Sequence, residues 1–260
     1  MAVAFPPQVH VLVRDWLSAN HVLLKSDDGH VLVDTGYGRH SAFTLALIQS
    51  ARALGDEPLA KVVNTHCHSD HMGGNALLAR TYRCPIAVPE GEIPLVEAWD
   101  EDALLLAYAD QVAERFAVSQ SLVAGETHRW GDLDWQMIAA PGHDMGALCF
   151  FNPEHGILIS GDALWANGFG FVMPIELDPA ALPATRATLE ALARLPIRVV
   201  IPGHGDPFDD VDAALSRALR RVAYYEEDPP RLARHALKVV LMFKLLDRQA
   251  LPLDGLAGYL

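Results

Sequence analysis

The stretch that decides the fold runs from residue 61 to residue 74 and reads KVVNTHCHSDHMGG. Its apolar start predicts a β-strand, and the two glycines at its end precede a pattern typical of a helix over residues 75–82. The histidines therefore lie at a turn from a strand into a helix. His66 and His68 are two residues apart, so in an extended segment their side chains leave the same face and can reach one metal ion.

The second half of the same motif is expected to point its side chains in another direction. Asp70 and His71 follow after the chain has turned toward the helix, so their side chains project in a different direction. A catalytic divalent metal needs several imidazoles or carboxylates and at least one further position for water. We therefore expect Asp70 and His71 to help to bind a second metal ion beside the first.

Three further potential ligands lie elsewhere in the chain. His143, Asp162 and His204 each follow a short apolar run that predicts a strand. Each of the three also lies beside a glycine, which permits a sharp turn and a close approach of the backbone. The ligands that complete both metal sites are therefore expected at these strand ends.

The motif His66-x-His68-x-Asp70-His71, followed in this order by His143, Asp162 and His204, resembles the metallo-β-lactamase superfamily. The resemblance covers roughly residues 8–208. It implies an α/β fold, the four-layer αββα sandwich, with the metals in a shallow groove at one edge of two sheets. The alternation of β-rich and helical segments along the chain agrees with that architecture.

The resemblance also implies a role for each candidate ligand. It assigns His66, His68 and His143 to the first metal. It assigns Asp70, His71 and His204 to the second metal, with Asp162 as a carboxylate that bridges both. The cofactors implied are two divalent metal ions, zinc with iron or manganese as alternatives, and Asp70 is also given a catalytic role. In the superfamily an Asp placed like Asp34 supports the metal-binding loop from behind the ligands.

The implied activity is that of a hydrolase that uses a hydroxide bridging the two metals to attack a thioester, lactone or other ester bond of a small molecule. An equivalent of Asp162 occurs in the glyoxalase II and lactonase branches and is absent from true β-lactamases, so lactam hydrolysis is disfavoured. The segment after Asp162 lacks the Cys-Gly-Arg pattern of glyoxalase II, and no Arg or Tyr occurs between Asp162 and Met173. Glutathione thioesters and acyl-homoserine lactones are therefore weaker assignments within a glyoxalase II-like branch.

Two other classes of function remain open. Persulfide dioxygenases share the scaffold and the ligand residues but use one iron, bound by the equivalents of His66, His143 and Asp162, and two histidines with one carboxylate suit non-haem iron. The other alternative is a binding module that a metal stabilises without turnover.

Composition narrows the expected partners. The chain has 260 residues and a formal net charge of −13, which would repel nucleic acid, so we expect a small-molecule substrate. The three cysteines have no spacing typical of a disulfide framework. We recognise no signal peptide and no apolar run of about 18 residues that could cross a membrane. We therefore expect a cytoplasmic protein without a membrane partner; a homodimer is an open alternative.

The segment pattern predicts two regions. Residues 1–210 are predicted to form the catalytic domain, and residues 211–260 a helical C-terminal extension with a short final helix near Leu253. A long, mostly helical stretch is predicted over 92–118, with Tyr108 among its apolar positions.

Two groups of residues are candidates for substrate contacts. An apolar run beyond Asp162 could form a pocket wall that the C-terminal segment covers in part, which would favour a substrate with an apolar acyl part. That run contains Trp165, Phe169, Phe171 and Met173. Basic residues of the extension could bind an anionic substrate tail, although such residues are usually only solvated: Lys238, Lys244 and Arg248.

Overall fold

The computed structural model describes residues 3–252, apart from the side chains of residues 108 and 109. Its strands form two sheets. In the first sheet the six strands follow one another in chain order, with the first three antiparallel and the remainder added in parallel. These strands are β1 (Val9–Leu12), β2 (His21–Leu24), β3 (His30–Val33), β4 (Leu59–Val63), β5 (Ile86–Pro89) and β6 (Gln120–Leu122).

The second sheet has five strands in the order β11-β10-β9-β8-β7, in which only the β10–β11 pair is parallel. Its strands are β7 (Thr127–Trp130), β8 (Leu133–Ala139), β9 (Leu148–Asn152), β10 (Ile157–Gly161) and β11 (Val199–Pro202). The α-helices are α1 (Ser41–Ile48), α2 (Ser69–Met72), α3 (Asn75–Tyr82), α4 (Ile93–Ala98), α5 (Leu106–Ala109), α6 (Ala181–Leu192), α7 (Val211–Glu227) and α8 (Pro230–Arg248).

Alternation of side chains along the strands divides the core into layers. Val31 and Val33 of β3 face the space between the two sheets, where they pack in one cluster with residues of the second sheet such as Phe150. Leu32 points the other way, into a cluster with residues of the α1 and α3 layer such as Leu78. The first sheet is therefore buried on both faces.

The second sheet is covered in the same manner. Phe151 and Leu158 face away from the first sheet and pack with α6 and α7, through residues such as Leu189 and Ala218, and with Leu232 of α8. Two sheets between two helical layers form the predicted four-layer αββα sandwich. The boundary predicted at 210/211 stays a prediction, and α7 buries its apolar face in the same cluster as α6.

Some predicted elements differ from those observed. The long helix predicted over 92–118 is wrong, because its α-helical residues are confined to α4 and α5. Trp99, Leu105 and Asp110 adopt left-handed backbone conformations that end or begin these short helices. The side chain of Tyr108 and the helix near Leu253 lie outside the described structure. Among the described residues no helix combines the length and the apolar character that crossing a membrane requires.

Candidate metal centre

Strand ends carry the seven candidate ligands to one edge of the sandwich. His66 and His68 follow β4, Asp70 and His71 lie on α2, and the other three follow the ends of strands of the second sheet: His143 after β8, Asp162 after β10 and His204 after β11. The structure brings all seven together in two adjoining groups, within each of which the potential ligand atoms lie within 4.8 Å of one another.

The first group consists of His66, His68 and His143. The Nδ1 atom of His68 lies 2.8 Å from Nε2 of His143. The Nε2 atom of His66 is buried and has no hydrogen-bond partner among the described residues. Three imidazole nitrogens thus converge, and one of them has no partner in the described part of the chain.

The second group consists of Asp70, His71, Asp162 and His204, all of them buried. Oδ2 of Asp70 lies 3.0 Å from Nε2 of His204. The Nε2 atom of His71 is buried 3.9 Å from the same Asp70 oxygen, and within residues 3–252 it has no hydrogen-bond partner.

Asp162 lies between the two groups. Its Oδ1 atom is 3.4 Å from Nε2 of His71, and its Oδ2 atom is 3.5 Å from Nε2 of His143. One carboxylate thus faces a ligand candidate of each group. This is the geometry that a bridging role requires.

The protein contacts the outer nitrogens of the imidazoles in the first group, so that the inner nitrogens face the cluster. Nδ1 of His66 donates to Thr65 Oγ1 at 3.1 Å, Nδ1 of His143 donates to the carbonyl oxygen of Phe171, and Nε2 of His68 lies 3.5 Å from Asp144 Oδ2. Histidines that bind metals in proteins are oriented in this way. The donor set fits divalent metal ions, and so do the Nε2 atoms of His66 and His71, which are buried without a partner among the described residues.

Asp34 supports ligand candidates of both groups. Its Oδ2 atom accepts a hydrogen bond from His71 Nδ1 at 2.8 Å and another from Thr65 Oγ1 at 2.9 Å. Its Oδ1 atom accepts from the Thr65 backbone N–H at 2.9 Å. Because Thr65 in turn accepts from His66, a single carboxylate fixes the proton positions of His71 directly and of His66 through one hydroxyl.

The charges of the second group favour a cation. Burial opposes protonation of His71, but the carboxylates of Asp162, Asp34 and Asp70 surround it and together raise its pKa well above the usual range. Burial would raise the pKa of Asp162, but His204 and His71 hold it well below its usual range. Metal ligands must be deprotonated, so a proton on His71 and a metal ion compete for the same cluster.

The first group has the opposite balance. Burial, reinforced by the neighbouring imidazoles, lowers the pKa of His66 well below its usual range. Burial and His143 likewise lower the pKa of His68 to about 4. Both imidazoles are therefore neutral near pH 7, which is the state that can bind a metal.

Gly203 permits the close packing of the second group. A Cβ atom at this position would lie 2.2 Å from Oδ1 of Asp162 and 2.8 Å from Cε1 of His71. Any other residue would therefore displace a ligand candidate. The glycine that precedes His204 in the sequence is thus required for space.

Cys67 lies between two ligand candidates in sequence but not in space. Its side chain is buried in the core between the first sheet and its helices. Burial, reinforced by Glu92, raises the pKa of its thiol well above the usual range. Cys67 is therefore neither a metal ligand nor an activated nucleophile in this arrangement.

A cavity of about 560 Å³ opens onto the two groups. Trp165, Phe169 and Phe171 line it as predicted, whereas Met173 packs against the outer core of the second sheet. Of the basic residues considered for anion binding, Lys238 lines the cavity. Lys244 Nζ and Arg248 Nη2 lie 3.4 Å and 2.7 Å from Asp110 Oδ2, so they are engaged in an ion-pair cluster.

Two aromatic residues and one acid contribute in ways that the sequence did not suggest. Trp16 stacks on His204 with ring centroids 3.9 Å apart, and Trp165 Nε1 donates to Asp162 Oδ1 at 3.1 Å. Asp144 lies against His68. The adjacency of Asp144 to His143 was a usable signal, but nothing in the sequence connects Trp16 with residue 204.

Comparisons with known proteins agree with this geometry. The chain is 29% identical over 146 residues to the hydroxyacylglutathione hydrolase of Bdellovibrio bacteriovorus, which covers 55% of this chain and 47% of that enzyme. It is 27% identical over 212 residues to human acyl-coenzyme A thioesterase MBLAC2, which covers 73% of this chain and 74% of that protein. The chain spans about half the length of the first curated relatives that it matches.

One solved structure is similar in both sequence and fold. The crystal structure of TTHA1623 in a di-iron-bound form superposes with a TM-score of 0.62 at 26% identity, covering 81% of this chain and 98% of that one. The sequence model of the metallo-beta-lactamase superfamily matches residues 14–204 of this chain, a range that contains every candidate ligand. Because this match extends over most of the sandwich and ends on His204, the chain belongs to the metallo-β-lactamase superfamily.

Proposed function

We propose that this chain is a metal-dependent hydrolase with a dinuclear centre that acts on a thioester or other ester bond of a small molecule. The observation that carries the proposal is the position of Asp162, whose two oxygens face His71 and His143 at 3.4 Å and 3.5 Å. Two donor sets that share a carboxylate and open onto a cavity are suited to hold two ions near a substrate.

The proposed ligand sets are those implied by the sequence motif. His66, His68 and His143 would hold one ion, and Asp70, His71 and His204 the other, with Asp162 shared. Imidazole and carboxylate donors without a thiolate are compatible with zinc, iron and manganese. Zinc is our first assignment, and the di-iron form of TTHA1623 supports iron as the main alternative.

When bound, such ions would activate a water molecule and polarise the substrate carbonyl. The protein's own part is orientation and proton transfer. Trp165 holds Asp162 by donating to its Oδ1 atom at 3.1 Å. Asp70 is ionised, because His71 and His204 lower its pKa against the effect of burial, and its Oδ2 atom can accept a proton beside the reacting centre.

Protein nucleophiles are not part of the proposal. Cys67 is buried away from the cavity. Ser69 Oγ donates to Gln111 Oε1 at 3.1 Å, and this amide oxygen, its hydrogen-bond acceptor among the described residues, is not a base. Nucleophilic serine or cysteine needs such a base or a lowered pKa. Water is therefore the proposed nucleophile.

The bond type is inferred from the relatives. One matched protein is named an acyl-coenzyme A thioesterase, which supports a thioester bond for this chain. The chain spans only about half the length of two other relatives. Their names are therefore not used to assign the group to which the acyl part of the substrate is attached.

The dioxygenase alternative uses fewer of the observed residues. A single iron held by His66, His143 and Asp162 would leave the convergence of Asp70 and the remaining histidines without a role. The second donor set, whose His71 Nε2 atom has no hydrogen-bond partner among the described residues, can hold a second ion, which the hydrolase would use and the dioxygenase would not.

Metal analysis combined with a substrate panel tests the proposal. The full chain, purified without added metal and then loaded separately with zinc, iron and manganese, is assayed on acyl thioesters, lactones, phosphodiesters and persulfides. We expect two ions per chain and preferential thioester or ester hydrolysis. A single iron with oxygen-dependent persulfide turnover, or preferential phosphodiester cleavage, would contradict the proposal.

A further inference from the structure

The cavity beside the metal centre is much larger than the carbonyl group that would react there. Its volume of about 560 Å³ lies well within the range of about 300–1,000 Å³ of small-molecule sites. Asp70, His143 and Asp162 belong to its lining, so a bound molecule can reach the centre with one end. The rest of the cavity must accommodate the remainder of that molecule.

Helix α8 supplies an apolar wall of this cavity. Val239, Val240, Phe243 and Leu246 line it. Phe243 follows Val239 by four residues and Val240 by three, and Leu246 follows Phe243 by three, so the four lie on one face of the helix. From residue 239 to residue 246 this wall extends about 10 Å along the helix axis. The cavity is therefore long enough for an extended chain.

The other walls are also apolar. Leu104, Trp16 and Phe169 contribute to them. Among the described lining residues outside the metal centre, the polar side chains are Ser69, Gln111 and Lys238, in addition to the indole groups. Ser69 and Gln111 bond to each other at 3.1 Å, and Lys238 is exposed. A polar group placed deep in the cavity would lose its hydration without adequate replacement, so an apolar occupant is favoured.

The position of α8 is fixed by contacts at its C-terminal end. Tyr37 donates from its hydroxyl to Asp247 Oδ1 at 2.9 Å, and Arg39 Nε donates to the same oxygen at 2.6 Å. Arg248 bonds to Asp110, beyond α5. These contacts hold the apolar face of α8 over the cavity, which makes the cavity a built feature of this chain.

Building on the proposed function, we propose that the acyl part of the substrate is a linear aliphatic chain that binds in this cavity along α8. The substrate is then a fatty acyl thioester or ester whose carbonyl lies at the metal centre. In the reaction a C–O bond forms between water and the acyl carbon and the C–S or C–O bond to the carrier breaks. One proton of water passes to the leaving thiolate or alkoxide, and the products are a fatty acid and a thiol or alcohol.

A chain-length series tests the inference. The metal-loaded full chain is assayed on S-acyl N-acetylcysteamines from acetyl to dodecanoyl, with a phenylacetyl thioester for comparison. Burial of each methylene is expected to raise kcat/KM up to about fourfold until the cavity is filled. Equal kcat/KM values along the series, or a preference for the phenylacetyl compound, would overturn the inference while leaving the proposed function intact.

Variants of α8 provide the structural control. Val239→Trp is expected to move the optimum to shorter acyl chains, and Phe243→Ala to longer ones, because the first fills the cavity and the second enlarges it. Leu245→Trp is the matched control, since Leu245 lies on the same helix, is 44% exposed and does not line the cavity. Identical optima in all variants that fold would contradict the assignment of α8.

A measurement without turnover separates the two proposals. Decan-1-ol, whose neutral head group is not repelled by Asp70 and Asp162, is titrated calorimetrically into metal-free wild-type protein and into the Val239→Trp variant. Binding to the wild type with a negative heat-capacity change, weakened in the variant, is expected for an apolar chain in this cavity. Absence of binding would overturn the inference. Decan-1-ol binding without hydrolysis of any thioester or ester by the loaded protein would instead overturn the proposed function.

Discussion

Replacing Asp34 with asparagine is expected to weaken metal binding without disturbing the backbone. Asp34 has a left-handed conformation with φ of 56°, which asparagine tolerates better than most residues. The amide presents one acceptor and one donor where the carboxylate presents two acceptors. In either orientation of the amide, its N–H₂ group faces another hydrogen-bond donor, either His71 Nδ1 or the Thr65 backbone N–H. The hydrogen bond that the carboxylate accepted from that donor is then lost.

The magnitude follows from this mismatch. If His71 loses its partner, its proton is no longer held on Nδ1 and can occupy Nε2, the atom that faces the cluster. Loss of such a supporting group typically costs about 10–100-fold in metal affinity, which corresponds to about 1.4–2.7 kcal/mol. The ion held by His71 is expected to be affected most, because the link from Asp34 to His66 passes through Thr65.

Competition with a chromophoric chelator measures the two affinities in the wild type, Asp34→Asn and Thr65→Val. Thr65→Val removes the hydroxyl that His66 uses, so it should weaken mainly the other ion. The surface variant Asp134→Asn, whose side chain is 62% exposed, controls for the loss of one negative charge. Wild-type affinities for both ions in Asp34→Asn would refute the reasoning, and selective loss of the His66-side ion would show that the site assignment is wrong.

Three further outcomes are expected. Asp162→Ala should lower the bound metal to less than two ions per chain and abolish most activity, because the carboxylate faces both donor sets; metal analysis that finds a full complement would contradict the bridging role. Cys67→Ala should retain metal content and turnover, since the thiol lies in the core, and a loss of turnover at full metal content would count against a water nucleophile. Burial, with Asp144, raises the pKa of Glu92 from 4.5 to about 9. The folded protein therefore binds more protons than the unfolded chain between these pH values, and this contribution to stability is lost as pH rises. Glu92→Gln should remove the loss, so its Tm relative to wild type should increase from about pH 5 to about pH 8, and a constant difference would contradict the assignment.

The metal-site motif was predictable because it is a local pattern, and the sandwich was predictable chiefly because that motif resembles a known superfamily. His66 and His68 follow a strand whose apolar end, Val62 and Val63, is visible in the sequence, and α3 begins and ends where its pattern predicted. The helix predicted over 92–118 failed because apolar spacing alone does not reveal the left-handed residues that interrupt it. Strands β6 and β7 were missed because they are short and largely exposed, so they carry little apolar periodicity.

The sequence by itself determined which residues could bind metal and which strand ends carry them. It also determined the family that the chain resembles. Only the tertiary structure decided how distant residues meet. The contact of Asp162 with both donor sets, the stacking of Trp16 on His204 and the apolar wall of α8 join residues far apart in the chain. Periodicity and motifs report the conformation of neighbouring residues, whereas these contacts depend on how whole sheets and helices pack, which one sequence does not encode in any local pattern.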